Sequence, residues 1–294
     1  MVTFYRRLPK VDYIRPRSLD EALDIISNNN NEEYRVYAGG TDLIPKLKAR
    51  AIDEPEAIVD LKGIPDLDYI DYDERHGLRI GALATIRSVE TSQMVRKKYP
   101  LLFEAANSIA SIQVRNRGTV AGNICNAVPS ADSAPALLVL KAKLLCVSKQ
   151  GERTLMIDEF FKGPNKTALY PSELLKEIRI PPLPEKSPGT FIKLSTRSRM
   201  DLAVVNVAVQ SSIEKGRFKN IHIGLGAVAP TPIRAIKAEE ALEGVKTDDK
   251  AILNAAKTAA SEASPLDDHR ASAEYRRLMV EVLVKRAIRR IITN

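Results

Sequence analysis

The chain has 294 residues, 44% of them hydrophobic and 28% charged, which is enough to bury cores in two or three small domains. Its net charge of +8 comes from basic residues spread along the chain, and with no Trp and only 5% aromatics it offers few stacking platforms, which argues against a nucleic-acid-binding protein. No apolar run approaches a membrane span, the basic start has no signal core behind it, and the two cysteines stand outside any C-x-x-C pair; the expectation is a cytoplasmic protein with no membrane span, no disulfide framework and no metal or iron–sulfur ligands of its own, so any redox work needs an organic cofactor.

In chain order, Ser18 with Glu21 forms a capping box that opens an amphipathic helix to about Ile26, ended by the Asn run at 28–31. Residues 34–38 read as a strand, after which Gly39-Gly40-Thr41-Asp42 turns into a helix whose first N–H groups point at an anion. A strand at 57–61 closes this small βαβ-like unit, residues 1–60. Beyond the Gly63-Ile64-Pro65 turn, alternation at 67–70 and 78–80 predicts a hairpin, followed by helices from about Ile86 and over 100–109. Residues 117–132 have the composition of a long loop laid against a phosphate. Gly118 and Gly122 remove side chains where a ligand must come close, Thr119 and Asn123 add short polar groups, and Asp132 precedes the apolar helical run 134–140. A hairpin at 143–147 and 154–157 completes a second unit, residues 61–171.

Prolines at 164, 171, 181, 182, 184 and 188 mark a boundary region. The third unit, residues 172–294, begins with strands at 174–180, 190–194, 203–213 and 220–229 and ends with helices at 235–242, 250–262 and 273–292. Strands followed by helices is an α+β layout. The last helix carries Arg276, Arg277, Lys285, Arg286, Arg289 and Arg290 around apolar Leu278, Met279, Val282, Leu283, Ala287 and Ile291, the pattern of a solvated basic face, with an acidic partner or polyanion as the alternative occupant.

Several chemical motifs fail on context. Gly224-Leu-Gly-Ala-Val-Ala229 matches G-x-G-x-x-A, but Pro230 and Pro232 follow where that fingerprint needs a helix, so the expectation is a buried strand with small residues. His76, His222 and His269 are far apart and lack partners at metal spacing, and no G-x-S-x-G elbow occurs. Cys146 lies in an alternating strand and reads as core, whereas Cys125 reads either as a cofactor contact or as a small buried filler. The two glycine turns remain. Placed together, they grip the two ends of one pyrophosphate, which points to a dinucleotide-type cofactor.

Ala38-Gly-Gly-Thr-Asp-Leu43, Gln113-Val-Arg-Asn-Arg-Gly-Thr-Val-Ala-Gly-Asn123 and Pro129-Ser-Ala-Asp132 together resemble the FAD-binding medium subunit of the molybdenum hydroxylases, the xanthine dehydrogenase and aerobic carbon monoxide dehydrogenase family. Leu78-Arg-Ile-Gly-Ala-Leu-Ala-Thr85 and Asp267-Asp-His-Arg-Ala-Ser-Ala-Glu-Tyr-Arg-Arg277 extend the likeness over nearly the whole chain. The resemblance implies an α+β protein with a two-subdomain FAD-binding fold of the vanillyl-alcohol-oxidase (PCMH) type and a C-terminal domain of antiparallel strands and helices. Matched by position, Val36, Tyr37, Ala38, Gly39, Gly40, Thr41, Asp42 and Leu43 line the FAD pyrophosphate and ribityl chain from one side. Gly118, Thr119, Gly122 and Asn123 meet it from the other, with Ala121 inside the same loop and Cys125 just beyond it, and Asp132 accepts hydrogen bonds from ligand hydroxyls. Ala121 replaces the glycine of the family's usual Thr-Ile-Gly-Gly-Asn loop, so the backbone there must suit alanine.

The resemblance also implies a function: an oxidoreductase subunit with no catalytic acid or base, passing electrons through FAD. A large partner subunit would hold the molybdenum cofactor and a small one two [2Fe-2S] clusters, in a dimer of heterotrimers. A stand-alone FAD-dependent oxidoreductase of the same superfamily and a basic scaffold with glycine turns are the alternatives. Co-purification with two other subunits excludes the first, and a flavin spectrum on the purified chain excludes the second.

Overall fold

The computed structural model describes residues 7–27, 34–197 and 200–293. The first unit is a three-stranded parallel sheet of β1 (Asp12–Ile14), β2 (Tyr34–Tyr37) and β3 (Ala57–Asp60), with β3 in the centre, connected through α1 (Leu19–Ser27) and α2 (Leu43–Ala49). All four residues of β3 are buried, as expected of a strand flanked on both edges and covered by helices. The α1 cap is as predicted at Ser18, whose Oγ accepts from the Glu21 amide at 3.1 Å; the Glu21 carboxylate, however, reaches one residue further back, to the Arg17 amide at 2.7 Å. The Asn run expected to end α1 lies outside the described residues.

The second unit is a five-stranded antiparallel sheet interrupted by helices. β4 (Ile70–Asp73) and β5 (Gly77–Gly81) form its first hairpin; β5 falls where the alternation predicts, but β4 starts three residues late because Pro65 starts a short helical turn that buries Leu67 instead. A helical layer follows: α3 (Ile86–Thr91), α4 (Gln93–Lys98), α5 (Pro100–Ser108), α6 (Ile112–Arg115), α7 (Val120–Cys125) and α8 (Ser133–Val139). The chain then returns through β6 (Lys143–Ser148), β7 (Gly151–Met156), α9 (Ile157–Phe160) and the small hairpin of β8 (Phe161–Gly163) and β9 (Lys166–Thr167). β10 (Leu174–Ile180) inserts between β5 and β6, giving the order β4-β5-β10-β6-β7. The strand expected to open the third unit therefore completes the second, and the change of sheet falls after Ile180 rather than at residue 172. Buried residues of both units, among them Ala22, Val59, Leu78, Leu137 and Ile178, form one continuous core.

The C-terminal domain is a four-stranded antiparallel sheet of β11 (Gly189–Leu194), β12 (Val205–Glu214), β13 (Arg217–Gly226) and β14 (Ile233–Arg234), followed by α10 (Ile236–Leu242), α11 (Asp249–Glu262) and α12 (Ala273–Thr293). Eight consecutive residues of β12 are buried, because α12 covers one side of the sheet and α8 of the second unit the other. The buried stripe of α12 is Val280, Leu283, Val284, Ala287, Ile288 and Ile291, so it is rotated from the predicted one and leaves Leu278 55% exposed. Arg276 is buried and donates to the carbonyls of Val204 and Ala227, both at 2.9 Å, and to Asp268 at 2.7 Å. Its role is structural; Arg289 and Arg290, in contrast, stay exposed and pair with Asp249 and Glu104.

Gly224, Leu225 and Gly226 lie in β13, and the next element is the strand β14 rather than a helix, so the dinucleotide fingerprint is a buried strand as expected. The glycine there serves packing: a Cβ on Gly224 would sit 2.6 Å from the Pro135 carbonyl oxygen of α8. Gly224→Ala must push the C-terminal sheet away from α8 and should cost about 1–3 kcal/mol, the usual range for overpacking. A lowered denaturant midpoint at unchanged slope is expected, and an unchanged midpoint would contradict this packing account.

Candidate cofactor-binding site

Both glycine turns open onto one cleft of about 740 Å³, within the size range of small-molecule sites. All the positions named from sequence line it: residues 36–43 on one wall, with Gly118, Thr119, Ala121, Gly122, Asn123, Cys125 and Asp132 opposite. Reasoning from sequence missed Lys46, the turn Ile109–Ala110, Asn126, the apolar wall of Leu169, Leu174 and Leu175, and Met200 to Leu202 from the C-terminal domain. Of these, only Lys46 carried a signal, one helical turn beyond Asp42. The apolar wall arrives through β10 and the loop before it, which no local pattern ties to the glycine turns.

The glycines make room first for each other. A Cβ on Gly39 would lie 2.1 Å from the Arg117 carbonyl oxygen and 2.7 Å from the Gly118 Cα, so the two turns touch backbone to backbone. Gly40 has φ +73°, and a Cβ there would meet the Tyr37 ring at 2.1 Å. Gly122 faces only the Thr119 hydroxyl, 2.9 Å from where its Cβ would be. At Gly39 and Gly40, therefore, protein atoms fill the space a side chain would take.

The segment read as one long loop contains α7, a correction that the sequence permitted. Thr119 caps it, its Oγ1 accepting from the Gly122 amide at 2.9 Å, and Val120, Ala121 and Ile124 form its buried side. Ala121 is helical, which is why alanine fits where the family pattern has glycine. Among the described residues, the amides of Gly40, Thr41, Asp42 and Leu43 and those of Val120 and Ala121 find no protein acceptor. Of these residues, Gly40 to Leu43 and Ala121 line the cleft from its two walls, an arrangement that suits the oxygens of a diphosphate.

Neighbouring side chains fix these walls. Lys62 donates to the Ala38 carbonyl at 3.1 Å and to Asp60 at 2.7 Å, and its Nζ lies 3.5 Å from the centre of the Tyr37 ring. Burial pushes the Asp60 carboxyl up, but Lys62 and the Tyr13 hydroxyl outweigh it and hold Asp60 below its ordinary value. Arg115 is buried, pairs with Glu90 at 2.9 Å, and donates to the carbonyls of Ile109 at 2.8 Å and Ala110 at 3.2 Å, holding Ala110 at φ +41° against the cleft. Asp132 was expected to accept from ligand hydroxyls. Its two oxygens already take Lys193 at 2.6 Å and Asn206 at 2.9 Å, and burial pushes its carboxyl up against both partners. Cys125 lines the cleft, with burial pushing its thiol up to about 12, and Cys146 is core as predicted. Among the described residues, no three His, Cys, Asp or Glu side chains could hold a metal ion, and no helix is long and apolar enough to cross a membrane.

Residues 9–183 match the FAD-binding domain in molybdopterin dehydrogenase, and residues 190–291 match the CO dehydrogenase flavoprotein C-terminal domain. The chain is 34% identical to the glyceraldehyde dehydrogenase medium chain of Sulfolobus acidocaldarius, covering 96% of this chain and 99% of that one. It is 31% identical to the xanthine dehydrogenase FAD-binding subunit of Escherichia coli O157:H7, over 94% of each. Its structure superposes on a chain of carbon monoxide dehydrogenase from Hydrogenophaga pseudoflava with a TM-score of 0.93, at 33% identity and 96% and 97% coverage.

The contact between the turns makes Gly39→Ala a sharp test. A methyl group there cannot coexist with the Arg117 carbonyl, so the turns must part and the purified variant should lose most of its flavin while keeping its helical circular dichroism. Full flavin content in a folded Gly39→Ala protein would show that the contact does not shape the site.

Proposed function

Because the chain belongs to the FAD-binding medium subunits of the molybdenum hydroxylases, we propose that it is the electron-transfer subunit of a three-part enzyme, drawing electrons from [2Fe-2S] clusters on a small partner and passing them to an external acceptor. The observation that carries this reading is the cleft itself: two turns with free amides facing apolar walls. Among the described residues, every carboxylate that lines it except Asp42 is tied into an ion pair, so these residues offer a holder for a cofactor and no converging acid, base and nucleophile.

FAD, when bound, supplies one- and two-electron chemistry between one-electron clusters and two-electron acceptors. The chain's own residues do the rest. The Gly40–Leu43 and Val120–Ala121 amides would hold the diphosphate, Lys62 and Tyr37 keep the first turn in shape, and Arg115 sets the Ile109–Ala110 edge. Leu169, Leu174 and Leu175 would exclude water from one end. The named relatives are subunits of a glyceraldehyde dehydrogenase and a xanthine dehydrogenase, so in this reading substrate choice lies outside the medium subunit, in a large partner with the molybdenum cofactor. A dimer of such heterotrimers in the cytoplasm is the assembly we infer.

Removing FAD from the intact complex should stop electron delivery to the acceptor while substrate still reduces the iron–sulfur centres, because those centres lie upstream. Rapid-mixing absorbance spectra of the deflavinated complex test this. Loss of cluster reduction together with the flavin would reverse the proposed order.

A further inference from the structure

Charges along the cleft are unevenly matched. Asp132 is neutralised by Lys193 at 2.6 Å, Glu173 by Arg153 at 2.6 Å and Asp201 by Arg197 at 2.5 Å. Lys46 is different. It lines the same cleft from α2, half-buried, and its Nζ reaches across to donate to the Oδ1 of Asn126 at the end of α7. Among the described residues, no carboxylate lies within 4.0 Å of that ammonium. Asp42, one turn earlier, feels its charge without forming an ion pair or hydrogen bond with it.

Asn126 is neutral and takes one of the three ammonium donors, so among the described residues two donors and the positive charge of this cleft-lining side chain are left without a protein partner. That cation sits one helical turn beyond the free amides of Gly40 to Leu43, and its hydrogen bond spans from the wall of the first turn to that of the second. A cation drawn partly out of water and left without a carboxylate favours an anionic ligand. We propose that Lys46, aimed by Asn126, is the counter-charge for the diphosphate of the bound dinucleotide, an assignment that rests on the cleft being the FAD site. The flavin ring system gains nothing from it directly, so Lys46 discriminates phosphate-bearing forms of the cofactor from bare riboflavin.

The test is a set of equilibrium titrations of the full chain, stripped of flavin, with FAD, ADP and riboflavin. Lys46→Met keeps the aliphatic stem and removes the charge; it should weaken FAD and ADP by a similar factor, roughly ten- to a hundredfold, leave riboflavin affinity unchanged, and flatten the salt dependence of FAD binding. Lys46→Arg should keep most of the FAD affinity, and Asn126→Ala should fall between the two. Equal weakening of FAD and riboflavin by Lys46→Met would reduce Lys46 to a structural support, and unchanged FAD affinity would remove it from the site altogether; either overturns the assignment. An unsubstituted chain that takes up neither FAD nor riboflavin would overturn the reading of the cleft on which it rests.

Discussion

The backbone contact between Gly39 and the Arg117–Gly118 segment is the constraint on which the site depends. The first turn leaves a parallel sheet and the second belongs to a helical layer over an antiparallel one, so no ladder of hydrogen bonds joins them. Only the absence of a side chain lets them meet, since a Cβ on Gly39 would stand 2.1 Å from a carbonyl oxygen. The second turn is fixed independently: the Ile86 amide donates to the Gly118 carbonyl at 2.8 Å, and Thr85 bridges to Thr119. Once the turns touch, their free amides face the same space, and a cleft with donors on two walls follows from the contact alone.

The C-terminal domain closes one side of that cleft through polar ties rather than a shared sheet. Asp132 at the start of α8 holds Lys193 of β11 and Asn206 of β12, and Lys193 also donates to the Ser108 carbonyl at 3.2 Å. Glu104 on α5 accepts from the Thr190 hydroxyl, the Phe191 amide and Arg290 of α12. A buried ion pair such as Asp132–Lys193 adds little net stability, because desolvation offsets the attraction, but it fixes one arrangement of the domains against others. The basic surplus of the chain is partly absorbed in such contacts, with buried Arg115 and Arg276 each bonded to two backbone carbonyls.

Much of this was legible in the sequence because it is local. The Ser18 cap, the strand into Gly39, the Pro100 helix start and the 143–156 hairpin all follow from neighbouring residues, and the two glycine motifs together identified the cofactor domain. The misses are non-local or hidden by composition. Small residues in Thr119-Val-Ala-Gly-Asn123 look like a loop, although the threonine cap and the buried Val120, Ala121 and Ile124 make a helix. The place of β10 between β5 and β6 depends on pairing across nearly 100 residues with Leu78–Gly81, which no window of sequence shows. Asp132 lines the cleft as the sequence reading has it, but the Lys193 and Asn206 donors that it also holds come from a different domain and leave no local signal.

The most direct test of the account is a crystal structure of the flavin-loaded chain. The account predicts one FAD per chain, its diphosphate lying between the Gly40–Leu43 amides and the first turn of α7, with Gly39 still against Arg117. A flavin seated elsewhere, or the two glycine turns separated with the diphosphate touching only one of them, would contradict it.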